Sequence, residues 1–197
     1  AADKIVDPYF TMLWSEDIPT LDHVDDAGAS TNVTVLAGEL AGLRPPPPPP
    51  NSWASRPEAD VAIWHVRLGP GARWTMPAAT GTDTVRTCYV FDGDPLDIEG
   101  TTAAAGSGAV VAADREVEIR GGDTGTECLV LQGRPIGEQV ARYGPFVMNT
   151  EAEIRQAFTD SERTRFGGWP WPSDDPDHGR DEGRFARHAN ARLERPA

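Results

Sequence analysis

From residue 60 onward the chain offers short β-prone runs separated by tight turns, and that alternation restricts the fold more than any other feature. "DVAIWHVRL" ends at "GPGA"; "RWTMP", "TVRTCYVFDGD", "PLDIEG", "GAVVAAD", "REVEIRGGD" and "TECLVLQG" follow in order. Each run is apolar or alternating and is bounded by glycine, proline or aspartate. An earlier run, "NVTVLAGEL", reads as one more strand, and Asp92-Gly93 carries a hairpin-turn signal. Seven or more short strands spaced by such turns predict an all-β fold, a single jelly-roll-like antiparallel β-barrel or sandwich.

Helix is expected only over residues 151–165, in "YGPFVMNTEAEIRQAF" and the residues after it. Thr150 followed three residues on by Glu153 is a capping box, satisfying two helix donors that have no partner within the helix. Gly144-Pro145 breaks the strand before it. Ile154, Ala157 and Phe158 share one face, and Gly167-Gly168 can end the helix. Beyond it, residues 169–197 are rich in charge and proline and read as an extended tail. There Trp169 and Trp171 bury against a surface while the remainder is solvated.

At 197 residues the chain can build one full core. Its 31 Asp and Glu against 18 Lys and Arg argue against direct nucleic-acid binding, which needs a basic surface for the phosphates. Cys88 and Cys128 both lie in apolar strand-like runs, which fits reduced, buried thiols in a cytoplasmic protein better than a disulfide. No apolar run is long enough to span a membrane. Six prolines, Pro45 to Pro50, enforce polyproline II over about 19 Å. They read as a stiff surface loop rather than a ligand for a proline-recognising module.

Several of these runs resemble the C-terminal half of a pirin, a two-domain member of the cupin superfamily. "DPYFTMLWSEDIP" resembles the segment leaving the first cupin domain, and "TVLAGEL" the opening strand of the second. "LGPGARWTMP" and "LVLQGRPIGEQVARYGPFVMNTEAEIRQAF" resemble the later barrel and closing helix, while "FGGWPWPSDDP" and "EGRFARH" resemble the tail of some bacterial pirins. The resemblance implies an interdomain segment at 1–25, leading from a first domain outside this sequence. It further implies a cupin-type barrel at 26–147, a closing helix at 148–168 and a tail at 169–197. In the family the N-terminal barrel holds a metal, usually iron, through three histidines and a glutamate. Some members degrade quercetin with dioxygen, and others act as transcription cofactors.

The resemblance also says where a second metal site would lie in this barrel. Alternate residues of a strand point the same way, so His-x-His sets two imidazoles into one barrel mouth. Counted from the strand near Gly71, the ligand places fall on or near Pro77, Ala79, Arg86 and, in "GSGAVV", Val111. None of these can coordinate a metal, so the barrel is expected to be metal-free. His23 and His178 fall in loop-like acidic contexts and His188 in the tail. His65, on a strand beside Trp64, reads as a barrel-wall residue hydrogen-bonded to a neighbour. Asp22, His23, Asp25 and Asp26 read as a solvated acidic turn. Ser107 lacks a nucleophile elbow, and the cysteines lack the exposed basic setting that activates a thiol, apart from Arg86 two residues from Cys88. No catalytic constellation is legible.

The function implied is that of a non-catalytic half, a structural and docking partner for a metal-bearing N-terminal cupin domain in cis or in trans. Ile154, Phe158, Trp169 and Trp171 are the expected docking residues. Two alternatives stay open: a metal-free barrel binding a small molecule, with Trp64, Trp74 and Tyr89 lining the lumen, and a cupin enzyme with unorthodox ligands.

Overall fold

The computed structural model describes Val6, residues 9–168, 179–188 and 192–196. Tyr9–Ile136 form one compact unit, and the described residues from Gly137 onward belong to a second. The first unit carries ten strands: β1 (Thr20–Val24), β2 (Ser30–Ala37), β3 (Ala62–Leu68), β4 (Arg73–Met76), β5 (Val85–Gly93), β6 (Leu96–Ile98), β7 (Thr101–Ala103), β8 (Ser107–Val111), β9 (Val117–Arg120) and β10 (Thr126–Gly133). They form a six-stranded sheet, β1-β2-β3-β10-β5-β8, and a four-stranded sheet, β4-β9-β6-β7. All pairings are antiparallel. One apolar cluster joins the two sheets, with Val33, Val35, Trp64, Val66, Cys88, Val90, Cys128 and Val130 from the first meeting Trp74, Met76, Leu96, Val117 and Ile119 from the second. The result is a cupin-type β-sandwich, in agreement with the strand pattern of the sequence.

Three local features differ from the sequence reading. Residues 20–24, assigned by the resemblance to the interdomain segment, form edge strand β1, which puts His23 opposite Thr31 on a strand rather than in a loop. Asp92-Gly93 is not a hairpin turn: β5 continues through it, with Gly93 opposite Thr126 and a bulge between Glu127 and Cys128. Gly93 has φ 80, and a Cβ there would lie 2.5 Å from the Gly125 carbonyl oxygen, so only glycine fits. The chain crosses from one sheet to the other just after it. The two-residue hairpin is made by Glu99 and Gly100 between β6 and β7, both with positive φ as such a turn requires.

The second unit contains β11 (Ala141–Tyr143), β12 (Phe146–Met148) and α1 (Glu151–Thr164). Gly144-Pro145 is the turn joining β11 to β12 rather than a plain strand break, and Gly144 takes φ 53 there. The capping box forms: the Thr150 hydroxyl accepts from the Glu153 N–H, and the Glu153 carboxylate accepts from the Thr150 N–H at 2.8 Å. The helix ends earlier than the glycine pair suggests, at Arg165 in the left-handed region, where the Thr164 hydroxyl caps the Phe166 N–H. Within the tail, β13 (Ala186–Arg187) and β14 (Leu193–Glu194) pair. His188 there is not simply solvated: its Nε2 lies 2.7 Å from Glu194.

Candidate functional site

Strand register decides what the barrel interior contains. Gln132 on β10 stands opposite Ala62 on β3 and opposite Arg86 on β5, and Arg86 stands opposite Val111 on β8. Directly opposed residues of antiparallel strands share a face, so Ala62, Gln132, Arg86 and Val111 form one inward row. Trp64, Val130, Cys88 and Ala109 form the next. The Ala79 N–H donates to the Ala113 carbonyl at 2.7 Å. Register and this bond thus bring three of the four metal-ligand places of the resemblance, Ala79, Arg86 and Val111, to one end of the barrel.

What stands there is a cation. Arg86 is 0% exposed. Its Nε donates to Gln132 Oε1 at 2.8 Å, and its Nη2 donates to the same oxygen. Gln132 Nε2 donates to the Asp60 carbonyl at 3.1 Å, which orients the amide so that its oxygen faces the guanidinium. The Arg86 Cζ lies 5.6 Å from the centre of the Trp64 ring, within cation–π range. Arg86 Nη1 and Trp64 Nε1, both buried, have no acceptor among the described residues. Burial lowers the Arg86 pKa from its ordinary value, opposed by attraction to Cys88 once that thiol ionises and to the Asp60 carboxylate.

Asp60 organises the rim. It adopts φ 49 at the end of a short 3-10 turn. Its carboxylate accepts from the Thr80 hydroxyl (2.7 Å), the Gly81 N–H (3.0 Å) and the Thr84 hydroxyl (2.6 Å). Burial pushes its pKa up, and these hydrogen bonds outweigh that and hold it below the ordinary carboxylate value. The chain entering β5 is therefore clasped to the chain entering β3. Composition gave no hint of this role; the only sequence signal was an aspartate before a strand facing a threonine-rich turn.

The donor set does not fit the iron that the resemblance associates with cupin barrels. Among the described residues no three His, Cys, Asp or Glu come together as a metal-holding group, and a buried guanidinium repels a cation. Cys88 and Cys128 point inward, both fully buried and unbonded. Burial raises the Cys88 pKa to about 11, with Arg86 opposing weakly, and that of Cys128 to about 12. Neither thiol is an activated nucleophile.

The other singled-out residues separate. Trp64 (2% exposed) and Trp74 pack edge to face, ring centres 6.1 Å apart, and fill the interior. Tyr89 is not a lumen residue: it is 46% exposed, because Arg86, Cys88 and Val90 take the inward positions of β5 and Tyr89 falls on the alternate ones. His65 is an outer-wall residue, its Nε2 2.7 Å from Glu127 and its ring against Phe91. Within the aspartate cluster, Asp25 accepts from the N–H groups of Ala27, Ala29 and Arg73 and so fixes the β1–β2 turn. Ser107 Oγ donates to the Ala104 carbonyl. Ile154 is already 6% exposed, whereas Phe158 is half-buried against Tyr143 and Phe146. Trp169, Trp171 and His178 lie outside the described residues.

The sequence reading missed the outer face of the six-stranded sheet. Val85, Tyr89, Phe91, Leu131 and Val110 are exposed there, Val110 at 77%. Thr87 sits between Leu131 and Val110 across the strands, so these side chains share one exposed, largely apolar sheet face. The alternation of "TVRTCYVF" was the available signal, since Val85, Tyr89 and Phe91 fall on one of its faces and Arg86, Cys88 and Val90 on the other.

Residues 63–167 match the family described as the Pirin C-terminal cupin domain. The chain is 27% identical over 176 residues to Pirin of Homo sapiens, covering 85% of this chain and 54% of that protein. It is 27% identical over 177 residues to Pirin-1 of Arabidopsis thaliana, covering 85% of this chain and 55% of that one. Among solved structures it is similar to a quercetin 2,3-dioxygenase from Acinetobacter baumannii, with a TM-score of 0.63 and 26% identity over 78% of this chain and 49% of the other. The chain thus spans about half the length of the curated relatives it matches. No helix among the described residues is long and apolar enough to cross a membrane. With the strand register, the capped helix and the family match agreeing, this chain belongs to the pirin family through its C-terminal cupin domain.

Proposed function

We propose that this chain is a non-catalytic cupin half that docks, in cis or in trans, onto a metal-bearing cupin domain. That domain would hold the iron, and the pair would carry quercetin 2,3-dioxygenase-type or transcription-cofactor activity in the cytoplasm. The observation that carries the reading is the exposure of Val85, Tyr89, Phe91, Val110 and Leu131 on one outer sheet face. An exposed patch of this kind marks an interaction surface in soluble proteins. The absence of metal ligands at Pro77, Ala79, Arg86 and Val111 supports it, because chemistry routed through a metal then belongs to the partner. Phe158 remains a candidate contact, and Ile154, already covered, is not needed for one.

The test is to mix this chain with the isolated first cupin domain of a pirin-family protein and follow an apolar fluorescent dye. Dye binding is expected to fall as the domain is added, with co-elution of the two chains. Phe91→Asp and Val110→Asp are expected to abolish both effects. Unchanged dye binding in the presence of the domain would sink the proposal.

A further inference from the structure

We propose that the inner end of the barrel, at Arg86 and Trp64, is a binding site for a small monocarboxylate. The inference does not depend on the docking role. It rests on two buried donors and one buried charge without an ion-pair partner among the described residues.

A guanidinium has five N–H groups and no acceptor. Two nitrogens of Arg86 are used on a single neutral oxygen, Gln132 Oε1, while Nη1 has no acceptor among the described residues. No carboxylate among the described residues forms an ion pair with it. The carboxylate whose charge it feels is Asp60, and both oxygens of Asp60 are occupied by Thr80, Gly81 and Thr84. A buried ion is costly unless an opposite charge and full hydrogen bonding accompany it. Trp64 Nε1 is a donor only, and it too lacks an acceptor among the described residues. The two side chains are in contact, with Cζ 5.6 Å from the ring centre.

The missing complement is therefore a group that only accepts, bears one negative charge and offers two oxygens. A carboxylate meets all three requirements and suits guanidinium geometry. Water would satisfy the donors and leave the charge. The ligand must be small, because Arg86 and Trp64 are at most 2% exposed and the flanking row residues are Ala62 and Val111.

The experiment is an NMR titration of the full nitrogen-15-labelled chain with acetate at constant ionic strength. The Trp64 indole N–H resonance is assigned by its loss in Trp64→Phe. It is expected to shift saturably, approaching completion by about 10 mM acetate for a site with charge-assisted hydrogen bonds. Gln132→Glu keeps the side-chain shape and supplies a carboxylate in the protein, so acetate should bind at least about tenfold more weakly. Arg86→Met should remove the shift altogether. A Trp64 resonance that does not move overturns the proposal, as does acetate affinity undiminished in Gln132→Glu. Equal affinity for chloride overturns the carboxylate assignment.

Discussion

Gln132 is the sole hydrogen-bond acceptor among the described residues for the buried guanidinium of Arg86, and it is itself held by the Asp60 carbonyl. The pair joins β5 to β10 inside the barrel, at the end where the family resemblance places metal ligands. Its energetics are asymmetric. Removing a partner from a buried charge is expensive, whereas replacing the charge with an apolar chain of similar length is often neutral.

Gln132→Leu is accordingly expected to cost about 2–3 kcal/mol in urea unfolding, since it strands the guanidinium. Arg86→Met should fall within about 1 kcal/mol of the parent, and the double variant should recover most of the Gln132→Leu loss. The check is the set of urea midpoints followed by tryptophan fluorescence. Additive losses would show that the two residues do not act as a pair.

The thiols make stability sensitive to alkali. In the folded protein Cys88 titrates at about 11 and Cys128 at about 12, against an ordinary value of 9.0. Above pH 9 the unfolded chain therefore binds fewer protons than the folded one. The stabilisation is intact below pH 9 and declines as pH rises through 9 toward the folded values, by about 1.4 kcal/mol per pH unit for each thiol. Urea midpoints between pH 8 and 10.5 should fall in the parent and fall much less in Cys88→Ala/Cys128→Ala. A thiol reagent at pH 8 should label neither cysteine until denaturant is added.

The Asp60 clasp responds to acid. Its folded pKa is depressed, so its contribution is present above the ordinary carboxylate value of 3.8 and is lost as pH falls through the lower folded value. Asp60→Asn tolerates the left-handed backbone but loses a clean acceptor for the Gly81 N–H. Stability should drop by about 1 kcal/mol, with the Gly81 amide exchanging faster than amides in β3 or β10. Uniform exchange changes across the barrel would argue against a local clasp.

At the helix start, Thr150→Ala should cost about 1 kcal/mol by freeing the Glu153 N–H. The loss should appear as faster amide exchange in the first turn of α1, and Thr150→Ser should restore most of it. Equal protection in Thr150→Ala and the parent would mean that packing alone holds the helix end.

The readable parts of this protein were those governed by neighbours in the chain. Thr150 and Glu153 are three residues apart and satisfy each other without outside help, so the start of α1 could be read at once. Strand identity was legible for the same reason, from runs such as "AIWHVRL" between turn residues. The side of a strand was harder where each face mixes apolar with polar residues. Trp64 and Tyr89 looked alike in sequence, yet one fills the core and the other faces outward, because pairing with β10 sets which alternate residues of β5 point inward.

Local chemistry along the chain by itself determined the β-rich class, the helix that follows Thr150 and which residues stand at positions 77, 79, 86 and 111. Only the tertiary structure decided that Asp92-Gly93 is a crossing between sheets, that β1 joins the edge, and that Asp60 clasps a turn about twenty residues away. It alone brought Gln132, forty-six residues on, against Arg86. The physical reason is that strand pairing links residues far apart in sequence. The partner of a buried charge is set by register across the sheet, and register is a property of the assembled barrel rather than of any one strand.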